Sequence, residues 1–417
     1  MVPLEMVKIR QALDKTVVGN IASEISNEMS RVRWSSKVSA GARVAIAAGS
    51  RGIANIAEIT AAIVREVRRA AADPFIVPAM GSHGGATADG QRDILKGYGI
   101  SEREMGAPVR SSMEVVHIGE TESGMPVYID KIAQEADHII VVNRIKPHTE
   151  FQGQIESGLM KMMVIGLGKH RGATIAHAYA VKFGYERTIT EIGRLVLKNA
   201  PVTLGIGIIE NGYGQLARLV AVPPENFYET EKDLLKIARR NMPKIPFDEL
   251  DILIVDECGK EISGTGMDTK VVGRIMNIYE LEVNRPRITR IILRDLTEKT
   301  HGNAIGIGLA DFVTKRVADK VDYAASYVNS ITAITPEKAR MPIICKSDEE
   351  AVDFAIATVG PVEAATLRLV WIKNTSKLDE MYISQALLPD VKRNNNLQVI
   401  GKAFEMTYDA HGDLIIP

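Results

Sequence analysis

"GARVAIAAGSRGIANIAEITAAIVREVRRAAADPFIVPAMGSHGG", Gly41 to Gly85, holds two short apolar runs on either side of an amphipathic stretch. Val44 to Ala48 has strand length and is broken by Gly49-Ser50-Arg51-Gly52. Apolar residues then return at Ile56, Ile59, Ile63 and Val67, a helical spacing with Asn55 placed to cap it. A second run, Phe75 to Ala79, leads into Gly81-Ser82-His83. Beyond it Thr87 can cap a helix over Ala88 to Tyr98, closed by Gly99. Strand, helix, strand, helix is the order of parallel neighbours joined by crossovers. In such sheets the loops leaving the carboxyl ends of the strands share one edge, and ligands bind there. Arg51 and His83 both belong to that edge.

Working outward, "ADHIIVVNRIKPHTEF" reads as another buried strand, Ile139 to Val142, ending in a loop that carries His148. From Glu150 the chain is punctuated by glycine, with short helices expected near Gly158 to Ile165 and Ala173 to Val181. Helix "RTITEIGRLVLKNA" and strand "VTLGIGIIE" follow, then a helix near Tyr228 to Arg240. "NMPKIPFDEL" places two prolines in a polar stretch before a new strand, as a domain boundary does. The second half restarts with "DILIVDECG" and "RITRIILRDLT". "MPIICKSDEEAVDFAIATVG" adds a strand and a Ser347…Glu350 capping box, and "TLRLVWIKNTSKLDEMYISQALL" repeats the strand-to-helix order. The expected fold is α/β: two α/β domains with largely parallel sheets, 1–245 and 246–395, and an active site in the crevice between them. The tail 396–417 alternates like a strand and is expected to return to the N-terminal domain.

Composition narrows the function. In 417 residues, 46% hydrophobic and 25% charged with 34 glycines, the pattern is that of an α/β protein with many tight turns. The 51 basic and 52 acidic residues nearly cancel, and no basic patch with interleaved aromatics marks a nucleic-acid surface. Cys258 and Cys345 sit in apolar runs and read as buried core thiols, too few for a four-cysteine zinc site. The N-terminus lacks signal-peptide character and no apolar run reaches membrane length, so a cytoplasmic protein is expected.

Candidate chemistry lies in one anion-binding loop and three histidine-bearing segments. "AAGSRG" before a helix can hold an anion: Gly49 and Ser50 offer backbone N–H groups at the positive helix end, and Arg51 adds a bidentate donor. "GLGKHRG", Gly166 to Gly172, lacks the Rossmann spacing and reads as a structural turn, and no G-x-S-x-G elbow occurs. Of eight histidines, His117, His138 and His411 lie in ordinary strand or turn settings. His83, His148 and His177 each lie in a segment bounded by glycine or proline, where a side chain can face a cavity. Histidine is the usual group for proton transfer near neutral pH and a common nickel or zinc ligand.

Over about Gly41 to Ala180 these motifs resemble the nickel-dependent lactate racemase family of 2-hydroxyacid racemases and epimerases. "GSHGGAT" is similar to the segment bearing one catalytic histidine, which implies that role for His83. "KPHTEF" resembles the segment of the second, His148. "SGLMKMMVIGLG" resembles the segment whose lysine is joined covalently to a nickel-pincer nucleotide, which falls on Lys161. The family's nickel-ligating histidine lies sixteen residues on, at His177. Gly49, Ser50 and Arg51 match the phosphate-holding loop. "GTGMDTK" falls where the family has a glutamine and lysine pair: Lys270 takes the lysine's place facing substrate, and Met267 stands where glutamine is expected.

The resemblance implies an isomerase in which the cofactor accepts hydride and two histidines alternate as acid and base. Its partners would be a small 2-hydroxy acid and the proteins that make the cofactor, with no nucleic acid or membrane. The segment "TEFQGQIESGLM" is longer than the family's and adds Glu150, Gln152, Gln154 and Glu156, which points to a longer, more hydroxylated acid than lactate. The competing class is a phosphate-ligand binder on the same scaffold without racemase chemistry. An iron–sulfur electron carrier is disfavoured by having two cysteines.

Overall fold

The computed structural model describes residues 4–49, 52–283 and 285–415. Ser50 and Arg51, expected in the anion loop, lie outside the described residues. In chain order the strands are β1 (Glu5–Gln11), β2 (Arg43–Ala48), β3 (Asp73–Pro78), β4 (Val115–Glu120), β5 (Pro126–Asp130), β6 (His138–Arg144), β7 (Val202–Glu210) and β8 (Leu216–Val222). There follow β9 (Glu249–Cys258), β10 (Arg287–Leu296), β11 (Phe312–Thr314), β12 (Ile343–Cys345), β13 (Leu369–Ile372), β14 (Glu380–Ser384), β15 (Leu397–Val399) and β16 (Phe404–Glu405). They divide between two compact units. One comprises Lys15–His148 and Gln152–Met242; the other comprises Met1–Asp14, Thr149–Phe151 and Pro243–Pro417. The protein is thus α/β, with two mixed, largely parallel sheets.

The unit of Lys15–His148 holds a five-stranded sheet in the order β3-β2-β6-β7-β8. Its first three pairings are parallel, and β8 returns antiparallel to β7. A parallel strand is covered on both faces, which is why β2 and β3 are apolar at nearly every position rather than alternating. Between them the helix Ile56–Arg69 buries Ile56, Ile59, Ile63 and Val67 as its spacing requires. Asn55 departs from expectation. It adopts φ 57° and makes no side-chain cap; its amide reaches Glu58 at 3.3 Å, while Glu210 accepts from the N–H of Ala54 at 2.9 Å. Thr87 does cap the helix Ala88–Gly97, accepting from the N–H of Gly90 at 3.1 Å. The chain runs outward from β2 to β3 on one side and from β6 to β7 on the other. The sheet therefore has its topological switch between β2 and β6, beside Gly49 and the loop that follows Arg144.

The other unit carries a nine-stranded sheet, β12-β11-β10-β9-β13-β14-β1-β15, with β16 also on β1. The strands from β12 to β13 are parallel, and β14, β1, β15 and β16 are added antiparallel. Three expectations change here. The N-terminal segment forms β1 in this unit rather than in a domain 1–245. The tail therefore pairs with β1 (Arg10 opposite Gln398, Met6 opposite Phe404) instead of joining the unit of Lys15–His148. After β13 the chain forms the antiparallel β14, with Trp371 against Tyr382 at 5.0 Å, before any helix. The capping box is shifted as well: Ser347 accepts from the N–H of Glu350, whose carboxylate accepts from Lys346 rather than from Ser347.

Candidate active site

The loop after β6 is closed by a two-way backbone bridge: Lys146 donates to Ser157 at 3.0 Å and Ser157 to Lys146 at 3.2 Å. That closure returns the chain, after Pro147-His148, to Gly158, where the helix Leu159–Lys161 begins and runs directly into a π-turn over Met162–Gly166. Asn143, at the end of β6, fixes the junction by donating to the carbonyl of Gly158 at 2.8 Å. As a result Lys161 Nζ and His148 Nε2 are hydrogen-bonded. Single-turn π segments recur at functional sites because they re-aim side chains within a helix.

Two buried carboxylates hold this arrangement. Glu156 accepts from the N–H of His148 at 2.5 Å and from that of Gly153 at 3.3 Å, and its charge is met by Arg239 at 2.5 Å. Glu231 accepts from the N–H of Met160 at 2.9 Å at the helix start. Burial pushes the Glu231 carboxyl up to about 7, against the lowering effect of those backbone donors. Its Oε1 is buried without a protein partner.

The helix Lys169–Phe183 presents His177, and Gly184 turns the chain so that Tyr185 opens the next helix, Tyr185–Asn199. The hydroxyl of Tyr185 lies 3.3 Å from His177 Nδ1. Its ring lies at 5.8 Å from the His177 ring, edge-on, and stacks near His148 at 6.4 Å. Burial, reinforced by the positive charge of Lys161, pushes the His177 imidazole from 6.5 down to about 4. It is therefore neutral at physiological pH, as a metal-ligating imidazole must be. The tyrosine hydroxyl engages Nδ1, so Nε2 is the ring nitrogen outside that contact. Among the described residues no group of three or more His, Cys, Asp or Glu comes together as a metal cluster.

The sequence-predicted residues therefore fall into groups. His148, Lys161 and His177 come together around Tyr185. Gly49 directly follows β2: a Cβ there would meet the methyl of Met162 at 2.9 Å, so the absent side chain lets the π-turn approach the strand end. His83 is exposed, on a loop that packs against the same π-turn, with the N–H of Gly81 on the carbonyl of Gly166 at 3.3 Å. Lys270 belongs to the other unit, where its ammonium donates to the carbonyl of Phe151 at 3.1 Å; Met267 there is fully buried.

"GLGKHRG", expected to be only a turn, supplies the fully buried Lys169. Its ammonium lies 3.0 Å from Asp130 and donates to the carbonyl of Pro78 at 2.5 Å and to Gln91 at 3.0 Å. Gln91 in turn donates to the carbonyls of Gly81 at 2.8 Å and His83 at 3.2 Å. The polar residues expected to select a longer substrate are partly spoken for: Glu150 pairs with the buried Lys338, and Glu156 with Arg239. Tyr185 and Gln91 went unassigned because each acts across a loop or a helix break. Glu231 left a legible trace, standing on the apolar stripe Phe227, Leu234, Leu235, Ala238 of its helix.

Fold and site together define an α/β protein with a histidine–lysine pair and a neutral histidine outside the carboxyl ends of a largely parallel sheet. Residues 5–188 match the lactate racemase N-terminal domain family. The lactate racemase apoprotein from Thermoanaerobacterium thermosaccharolyticum shares the fold. It matches with a TM-score of 0.53 at 14% identity, over 85% of this chain and 96% of that one. No curated protein matches the chain in sequence. No helix among the described residues is long and apolar enough to cross a membrane.

Proposed function

We propose that the protein racemises or epimerises a 2-hydroxy acid with the help of a nickel-pincer nucleotide carried on Lys161. The observation that carries the reading is the cluster itself: a lysine amine in contact with one histidine, beside a second histidine kept neutral. The residues present fit the group. His177 offers one neutral nitrogen, and with no protein cluster of three metal ligands among the described residues, a metal here would draw its other donors from the nucleotide. Lys161 would hold the nucleotide covalently, and the Gly49 loop would take its phosphate.

When bound, the nucleotide supplies a reversible hydride acceptor, the one function no side chain can provide. The chain's own part is proton transfer. His148 serves as base when one enantiomer is the substrate and as acid when the other is, and His83, on the opposite face, takes the complementary part. Glu156 and Arg239 keep His148 in place, and the Lys169–Gln91 pair holds the carbonyl of the residue that must match it.

Intact mass with metal analysis tests this, on protein co-expressed with the cofactor-making proteins. A nucleotide-sized adduct and nickel in wild type, both absent from Lys161→Ala, are expected. An adduct that survives in Lys161→Ala would remove the assignment, and the absence of adduct and nickel from wild type would favour an anion-binding protein instead.

A further inference from the structure

We propose that the helix Tyr323–Thr332 forms a two-fold interface with the same helix of a second copy of this chain. The inference is independent of the racemase reading, since it uses no residue of the candidate active site.

The helix is turned inside out. Its inward face is polar: Ser326 and Ser330 are each 2% exposed, Ser326 accepts from the N–H of Ala304 at 2.9 Å, and Asn329 accepts from Lys260 at 2.7 Å. The carbonyl of Ser330 takes the N–H of Thr335 at 3.0 Å and ties the last turn to the segment Pro336–Ala339 that follows. These bonds fix the rotation of the helix and leave Tyr323, Tyr327, Val328 and Ile331 outward, with Val328 and Ile331 each 68% exposed. A surface helix ordinarily distributes its residues the other way round. Tyr323, Tyr327 and Ile331 recur at intervals of four with Val328 beside Tyr327, so they make one stripe about 12 Å long. The rings of Tyr323 and Tyr327 lie 5.9 Å apart within it.

The apolar surface continues past the helix end. Glu337 accepts from the N–H of Ile278 at 3.1 Å, which brings up a loop where Ile278 is 76% and Leu281 87% exposed. At about 200 Å² for a fully exposed large side chain, these six residues show on the order of 800 Å² to solvent. The largest apolar patch of a typical monomer is about 300–600 Å², whereas a stable dimer buries about 800 Å² on each partner.

The chemistry of the stripe selects its partner. Tyr323–Thr332 contains no charged residue, so a nucleic acid or a charged peptide would lose its hydration here with nothing to replace it. Helices that lie on lipid carry lysine and arginine on the face opposite the apolar one. Here that face is turned into the protein, and an acidic residue, Asp322, caps the helix start. A second copy of the stripe is neutral, equally long and complementary when it runs antiparallel. Tyr323 then packs on Ile331 of the other copy, Tyr327 and Val328 lie near the axis, and the tyrosine hydroxyls stay at the wet rim.

Sedimentation equilibrium of the full-length protein tests this, and a dimer at micromolar concentration is expected. Val328→Glu sets two like charges near the axis and should weaken the dimer by about 100-fold. Its far-UV circular dichroism should be unchanged, because position 328 is exposed. Val328→Lys should behave alike, and an equimolar mixture of the two variants should dimerise again, as only a face that meets its own copy allows. Should either charged variant misfold, Val328→Cys decides: a disulfide-linked dimer is expected on mild oxidation, since Cys258 and Cys345 are buried. A wild-type monomer, a dimer insensitive to Val328→Glu, a mixture that stays monomeric, or a Val328→Cys protein that does not cross-link would each overturn the proposal. So would a wild-type monomer that floats with phosphatidylcholine vesicles and is released by Val328→Glu, which would assign the face to a lipid surface.

Discussion

Replacing Lys169 by methionine tests the scaffold beneath the site. Methionine keeps the length and apolar stem of lysine, so packing changes little, but it removes the ammonium 3.0 Å from Asp130, and both side chains are fully buried. The carboxylate left behind keeps the N–H of Ala133, at 2.9 Å, and loses its counter-charge. Stranding one member of a buried pair costs about 3–5 kcal/mol. The φ of 54° at position 169 is shared by wild type and variant and cancels. Urea unfolding of the apoprotein, followed by far-UV circular dichroism, reads the difference. The double variant Lys169→Met/Asp130→Asn should recover about 2 kcal/mol, since no charge is then stranded. Because Gln91 loses its ammonium partner, the amides of Gly81 and His83 should exchange faster in the single variant. A loss below about 1 kcal/mol, or a double variant no more stable than the single one, would show that the pair does not bear on the fold as argued.

Two buried groups give opposite pH slopes in the apoprotein. His177 is held down at about 4 against 6.5, so its stabilising contribution is complete above pH 6.5 and is lost as pH falls through about 4. Glu231 is held up at about 7 against 4.5, so its contribution is complete below pH 4.5 and is lost as pH rises through about 7. His177→Gln should flatten the acid limb of stability against pH and Glu231→Gln the neutral limb; an unaltered limb contradicts the corresponding assignment. Gly158→Ala would put a methyl 2.3 Å from the carboxyl carbon of Glu231 and displace the start of the Lys161 helix. A loss of about 1–3 kcal/mol in denaturant is expected, and a neutral result would mean that Glu231 does not hold that helix. Burial pushes the thiols of Cys258 and Cys345 up to about 12 and about 11, so neither should take up iodoacetamide until the protein unfolds. Alkylation of the native protein at either position would contradict this.

The order of elements was legible wherever a local pattern carried it. The strands around Val44–Ala48 and Phe75–Ala79 and the cap at Thr87 follow from periodicity and capping chemistry over a few residues. The placement of β1 was not legible, because seven residues of mixed character become a strand only when β14 and β15 lie on either side. The candidate site divides in the same way. His83, His148, Lys161 and His177 stand out as residue types in glycine- and proline-bounded segments, since chemistry of that kind is a property of the side chain and its local backbone. Their company is another matter. That Lys161 touches His148 depends on the Lys146–Ser157 bridge and on Glu156. That His177 stays neutral depends on burial beside Tyr185 and Lys161. That Lys169 steadies the His83 loop depends on Gln91 and Asp130, far apart in the chain. Sequence by itself determined the α/β order and the reactive groups, because short-range sterics and periodicity are written residue by residue. Tertiary structure alone decided which groups share a hydrogen bond, a desolvated pocket or a counter-charge, because those energies arise from neighbours that the chain brings together only on folding.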